Sequence, residues 1–222
     1  MRTANRFLPL VLVAAALLFI RAPFMIQAAP IESTMGLVQK IFYFHVPAAM
    51  MTFLAAFVCG IASALFLWRR RRGADYVAVA AAELAVVFGL IVLITGPMWA
   101  RKAWGHWWVW EDVRLVTTLV MWMIFVAYLL LRRFGGPGSN VLAAAFGLFG
   151  MALVPFVYVS VNFWNRVHPK TTVIATLPPE MAWPLRWSIL AFLLLFTALL
   201  IARVRVEGAR TQLEEAYIAL EE

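Results

Sequence analysis

The chain is 222 residues long, 64% hydrophobic and only 14% charged, with a mean hydropathy of +0.87. A soluble domain is nearer half apolar and a quarter charged, so the composition excludes a disordered chain, a secreted disulfide scaffold and an ordinary cytosolic enzyme. A single cysteine, Cys59, excludes an internal disulfide, a Cys-x-x-Cys redox pair and a thiolate metal cage. The net charge of +8 comes mostly from Lys and Arg at the ends of apolar runs, a mark of membrane topology rather than of nucleic-acid binding.

A bilayer core about 30 Å thick is crossed by about 20 helical residues. Six stretches fit, roughly 7–29, 41–68, 76–98, 113–131, 141–164 and 185–202. The expected fold is all-α, a polytopic membrane protein of six transmembrane helices. The first stretch follows Arg2 and Arg6 as a signal peptide would. No clear small-x-small cleavage site comes before Pro23, so it reads as a retained span with Arg21 near its outer end. One set of helix ends carries Arg2, Arg6, Arg69 to Arg72, Arg132, Arg133, Arg203 and Arg205. The positive-inside rule makes that side cytoplasmic and puts both termini there.

The outer loops then fall at about 30–40, 99–112 and 165–184, and the inner turns at 69–75 and Gly135-Gly136-Pro137-Gly138. Residues 1–203 read as a single membrane domain with a Trp-rich outer loop at 99–112. Residues 204–222 read as a short cytoplasmic amphipathic helix with Leu213, Tyr217 and Leu220 on one face. Glu83, inside the third span, is a functional suspect by default, but reads more simply as a protonated carboxyl hydrogen-bonded between helices.

All three histidines, His45, His106 and His168, fall on the outer side. Trp68 and Arg69 pin the inner end of the second span. His45 lies 23 residues before Trp68, about 35 Å along a helix, which places it at or just above the outer boundary. Pro47 suits the first turn of that helix, where a missing N–H costs nothing. His168 follows the fifth span closely and belongs at a similar height. Between them runs Trp104-Gly105-His106-Trp107-Trp108-Val109-Trp110-Glu111-Asp112.

An interfacial belt explains a Trp or two per span end. Four Trp in seven residues, with a glycine inside and two carboxylates and Arg114 after, suit a planar aromatic ligand better. Taken singly, each histidine is more often an interfacial polar residue. The shared height of His45 and His168 beside the Trp loop favours haem, with neutral imidazoles on iron and indoles against the macrocycle. His106 reads as a spacer or a transient ligand. Lys40, Arg101, Arg114 and Arg166 suit lipid phosphates or ligand carboxylates. Lys40, five residues before His45, and Arg114, just after the loop, are the two chosen for carboxylates.

The Trp-Gly-x-Trp-Trp-x-Trp motif resembles the tryptophan-rich signature of the haem-handling family of cytochrome c biogenesis. The 41–49 segment around His45-Val46-Pro47, the 160–168 segment ending in His168, and Pro184-Leu185-Arg186-Trp187-Ser188 resemble that family's other segments in the same order. With six spans the chain is similar to the family's short members. The resemblance implies that His45 and His168 are axial ligands of a haem b at the periplasmic face of a bacterial inner membrane. It further implies that Trp104, Trp107, Trp108 and Trp110 form the haem platform, and that haem is presented to a periplasmic haem chaperone. The setting would be an ATP-driven complex with an ATPase subunit and a second membrane subunit.

The chain itself has no Gly-x-x-x-x-Gly-Lys-Ser/Thr loop, so ATP use belongs to a partner and the chain reads as a transfer protein, not an enzyme. One departure is a residue inserted after the last Trp of the motif. Either Glu111 or Asp112 can take the acidic role, and Asp112 keeps the Asp-x-Arg spacing to Arg114. The competing readings are a bis-histidine electron-transfer subunit serving quinones and a structural exporter subunit that never touches haem.

Overall fold

Each of the six apolar stretches is a helix in the computed structural model, which describes residues 2–164 and 167–221. The helices are α1 (Arg2–Ala28), α2 (Phe42–Arg69), α3 (Arg72–Trp104), α4 (Val113–Phe134), α5 (Ser139–Phe163) and α6 (Pro179–Glu221). Short 3-10 turns at Leu37–Ile41 and Thr171–Ile174 lead into α2 and lie between α5 and α6. Each helix is long and apolar enough to cross a membrane, and among the described residues there is no strand. The chain is a multi-pass, all-α membrane protein.

Three boundaries differ from the sequence reading. α3 passes through Gly96 and Pro97 and runs on to Trp104, and Gly105, whose φ of 78° is a left-handed turn, ends it. Residues 99–104 of the anticipated loop are therefore helical. α2 starts at Phe42, so Pro47 lies in its second turn, not its first, and the Tyr43 carbonyl loses the N–H that a non-proline residue would offer. α6 passes through residue 203 without a break and reaches Glu221, a single helix of 43 residues, about 65 Å long at 1.5 Å per residue.

Four helices, α2 to α5, form a ring in which each touches its sequence neighbour and α5 closes back on α2. Lipid supplies no hydrophobic force to pull helices together, so their packing depends on close backbone approach through small residues. Ala55, Ala56, Cys59 and Ala62 of α2 are buried, as are Ala78, Ala81, Ala82 and Ala85 of α3. A Cβ built on Gly60 would stand 2.4 Å from the Met151 Cβ of α5, and one on Gly150 would stand 2.6 Å from the Phe125 ring of α4. α6 leans on α2 and α3, and α1 packs on α6. There Phe192 meets Phe19, Phe44 and Phe88 at ring separations of 5.0 to 6.1 Å. The Trp187 indole donates to the Leu18 carbonyl at 3.0 Å.

The topology gives the ring two unlike ends. At the arginine end, Arg132 of α4 forks onto Asp75 of α3 at 2.7 and 3.1 Å. Arg203 of α6 holds both Glu83 of α3 and Glu207. Glu83 is thus hydrogen-bonded between helices as anticipated, with the Arg203 guanidinium as its partner. At the opposite end lie all three histidines, at the start of α2, after α3 and after α5.

Candidate functional site

A cavity of about 360 Å³ opens at the histidine end, walled by α2, α3 and α4 and roofed by the residues after α5. That volume lies in the usual range for small-molecule sites. His45 and His168, 123 positions apart in the chain, both line it.

His45 is in the first turn of α2. Its Nδ1 is 2.8 Å from Thr95 Oγ1 on α3. Thr95 Oγ1 also stands 2.7 Å from the Ile91 carbonyl, which can only accept, so both contacts are hydrogen bonds together only when the hydroxyl donates to the carbonyl and accepts from the imidazole. The network therefore assigns the proton to Nδ1 and leaves a bare lone pair on Nε2. Gly96 keeps the space beside the ring open, since a Cβ there would lie 3.3 Å from His45 Cε1.

His168 reaches the same state by a local route. Its Nδ1 is 3.0 Å from the Pro169 carbonyl, which can only accept, so Nδ1 again carries the proton and Nε2 is bare. Burial, then the positive charge of Arg114, push its pKa down to about 4 against the opposing pull of the Pro169 carbonyl and Asp112. The imidazole is neutral at physiological pH.

Asp112 separates itself from Glu111. Glu111 is exposed, whereas Asp112 is 2% exposed. Its carboxylate caps α4 by accepting from Leu115 N–H at 3.1 Å, and it accepts from Val167 and His168 N–H at 3.4 Å each. It does not line the cavity; it ties the His168 segment to the start of α4. Two residues onward, in the first turn of α4, Arg114 does line the cavity, and among the described residues its guanidinium has no hydrogen-bond or ion-pair partner.

The indoles divide. Trp104, Trp107 and Trp108 line the cavity, with Trp104 6.4 Å from the His168 ring. Trp108 Nε1 is buried with no partner. Trp110 packs edge-on against Trp108 from outside, at 5.8 Å, and is 69% exposed. Other expected residues lie elsewhere. Lys40 is turned away from the cavity, with its ammonium donating to the Ile26, Gln27 and Ala29 carbonyls at the end of α1, where a cation offsets the helix dipole. Arg101 donates to the Gly105 carbonyl. His106 is exposed and outside the lining. Arg166 lies outside the described residues.

The lining also includes residues that were not anticipated, Trp99, Gly96 and Tyr158 among them. Trp99 packs edge-on to Trp104 at 5.3 Å, and its place became readable only once α3 extended to Gly105. Gly96 shares that helix face, one turn before Ala100 and two before Trp104. Tyr158 comes from α5, and no local pattern distinguishes it from a lipid-facing aromatic.

Comparison with known proteins gives an independent reading of the same chain. A family model described as heme exporter protein C matches residues 1–219. The chain is similar to the heme exporter protein C of Escherichia coli K12, 34% identical over 184 residues that cover 80% of this chain and 73% of the relative. It is similar to that of Paracoccus denitrificans, 33% identical over 220 residues covering 96% and 91%. With the Rhodobacter capsulatus protein of the same name it shares 32% identity over 217 residues, covering 93% and 88%. Six spanning helices, histidines gathered at one end and a match along almost the entire length lead to one assignment: the chain belongs to the heme exporter protein C family.

Proposed function

We propose that this protein holds haem b as cargo at the periplasmic face of the bacterial inner membrane and hands it to a periplasmic haem chaperone during cytochrome c maturation. The observation that carries the proposal is the pair of imidazoles in the wall of one cavity, each with Nδ1 beside an oxygen, Thr95 Oγ1 for His45 and the Pro169 carbonyl for His168, which keeps Nε2 out of those contacts.

Two imidazoles are a poor cage for a free metal ion, which takes three or four protein ligands. Among the described residues no group of three or more His, Cys, Asp or Glu could hold one. Two imidazoles do complete the coordination of an iron already bound by a macrocycle. The rest of the lining suits the same guest. Trp99, Trp104, Trp107 and Trp108 offer flat apolar surface, while the unpartnered Arg114 guanidinium and the orphaned Trp108 N–H suit the carboxylates at a porphyrin's edge. Of the sequence-derived set, Asp112 acts by positioning His168, Lys40 by securing the end of α1, and Trp110 by backing Trp108.

In this role the chain makes and breaks no covalent bond. The histidines grip, the indoles exclude water, and the exposed Trp107 and Trp110 offer the chaperone an apolar approach. The arginine end and both termini face the cytoplasm, with 1–203 as the membrane domain and 204–222 as the cytoplasmic part of α6. An ATPase subunit and a second membrane subunit supply ATP-driven work, which this chain has no phosphate loop to perform.

The test is a haemin titration of the full-length protein purified in detergent, followed by absorbance. Wild type is expected to give a six-coordinate, low-spin spectrum. His45→Ala and His168→Ala should each lose that spectrum and bind more weakly. Wild-type affinity and spectrum in both variants would overturn the assignment.

A further inference from the structure

We infer that Thr95 is a positioning residue that sets His45 as an iron ligand, an inference that rests on the function proposed above. The hydroxyl stands on α3, 50 positions from the histidine it serves. Oγ1 also stands 2.7 Å from the Ile91 carbonyl one turn back in the same helix. The two contacts are satisfied together only when the hydroxyl donates to that carbonyl. A hydroxyl free to rotate could donate to Nδ1 and leave the proton on Nε2, where it would block a metal. A hydroxyl already donating to its own helix presents only a lone pair, so Nδ1 must be the protonated nitrogen and Nε2 the ligating one.

The same bond fixes the ring's rotation. Gly96 leaves the floor beneath Cε1 clear, with room of 3.3 Å to where a Cβ would sit. Thr95 also makes the imidazole a better donor, because an N–H···O bond at Nδ1 pushes electron density toward Nε2. The His168 ring has no side-chain partner at Nδ1. Its contact there is the carbonyl of the next residue, Pro169, so the α2 imidazole is oriented by a neighbouring helix and the loop imidazole by its local backbone, while Asp112 ties the loop itself to α4.

Thr95→Val keeps the shape and removes the acceptor. Haemin affinity, measured on the full-length protein in detergent, is expected to fall about 10- to 100-fold, the usual cost of losing a partner behind a metal ligand. The midpoint potential of the bound iron should rise, since a weaker imidazole donor stabilises the ferric state less. Thr95→Ser keeps the hydroxyl and should restore both values. Thr95→Ala carries the same test if packing rejects valine. In a His45→Ala background the Thr95→Val change should have no further effect on affinity.

Unchanged affinity and potential in Thr95→Val would overturn the inference. So would an equal loss in the His45→Ala background, which would show that Thr95 does not act through His45. His45→Ala alone reports on the underlying reading: if that variant binds haemin as wild type does, the proposed function fails at its first step and the role of Thr95 falls with it.

Discussion

Asp112→Ala tests how the loop histidine is kept in place. The carboxylate is buried and carries three backbone N–H groups, one from α4 and two from the His168 segment. Loss of a helix N-cap costs about 1 kcal/mol. The two bonds to 167 and 168 are long, at 3.4 Å, and are assigned about 0.5–1 kcal/mol each. The total is about 2–3 kcal/mol, of which about 1–2 kcal/mol falls on the segment that bears the ligand. At about 1.4 kcal/mol per tenfold, the docked population of His168 and the haemin affinity should drop about 5- to 30-fold.

Asp112→Asn separates the two duties. Asparagine caps helices as well as aspartate does, but its amide nitrogen cannot accept, so stability should hold while affinity falls. Glu111→Ala, at an exposed site, is the control expected to change neither. Haemin titration reads the affinity, and amide hydrogen exchange at 167 and 168 reads the docking. Wild-type affinity together with unaltered exchange in Asp112→Ala would refute the reasoning.

Acid should release haem late. The His168 pKa is pushed down to about 4 from its usual value near 6.5, so neutral imidazole persists well below neutrality. Because the folded-state pKa is the lower one, the unfolded chain takes up this proton first as pH falls, and His168 destabilises the fold progressively from about pH 6.5 to about pH 4. Absorbance of the haem-loaded protein should hold from pH 7 to 5.5 and collapse toward 4; half-loss at the ordinary imidazole pKa would contradict the burial argument. Glu83→Gln breaks the α3–α6 ion pair, whose partners are 31% and 28% exposed, and should lower stability by about 1–2 kcal/mol without changing haemin affinity. Thermal unfolding and titration together check it. Gly60→Ala drives a methyl into Met151 and should cost about 1–3 kcal/mol as α2 and α5 are forced apart, read as a lowered melting temperature.

Much of this architecture is legible in the sequence because hydropathy and cation placement are local signals. The six spans, the arginine end and the gathering of three histidines at the other end all follow from them. What did not follow was tertiary. Lys40 is close to His45 in sequence, yet its ammonium finds the bare carbonyls at the end of α1, a partner created only by packing. Glu83 reads in the sequence as hydrogen-bonded between helices, but its partner, Arg203, is supplied only by the packing of α6 on α3. Thr95 carries no motif at all; its importance depends on a histidine from another helix. Trp99 falls in the anticipated loop because Gly96-Pro97 reads locally as a helix stop, whereas α3 continues through it to Trp104.

The unequal mounting of the two imidazoles has a consequence for how a passenger would leave. One is bolted to a neighbouring helix, and the other rides on a strap whose tie to α4 is a carboxylate. On the proposed reading, slackening that strap frees one side of the iron while the opposite side stays anchored. An incoming acceptor would thus meet a half-undone catch, and the passenger would never drift unheld into water.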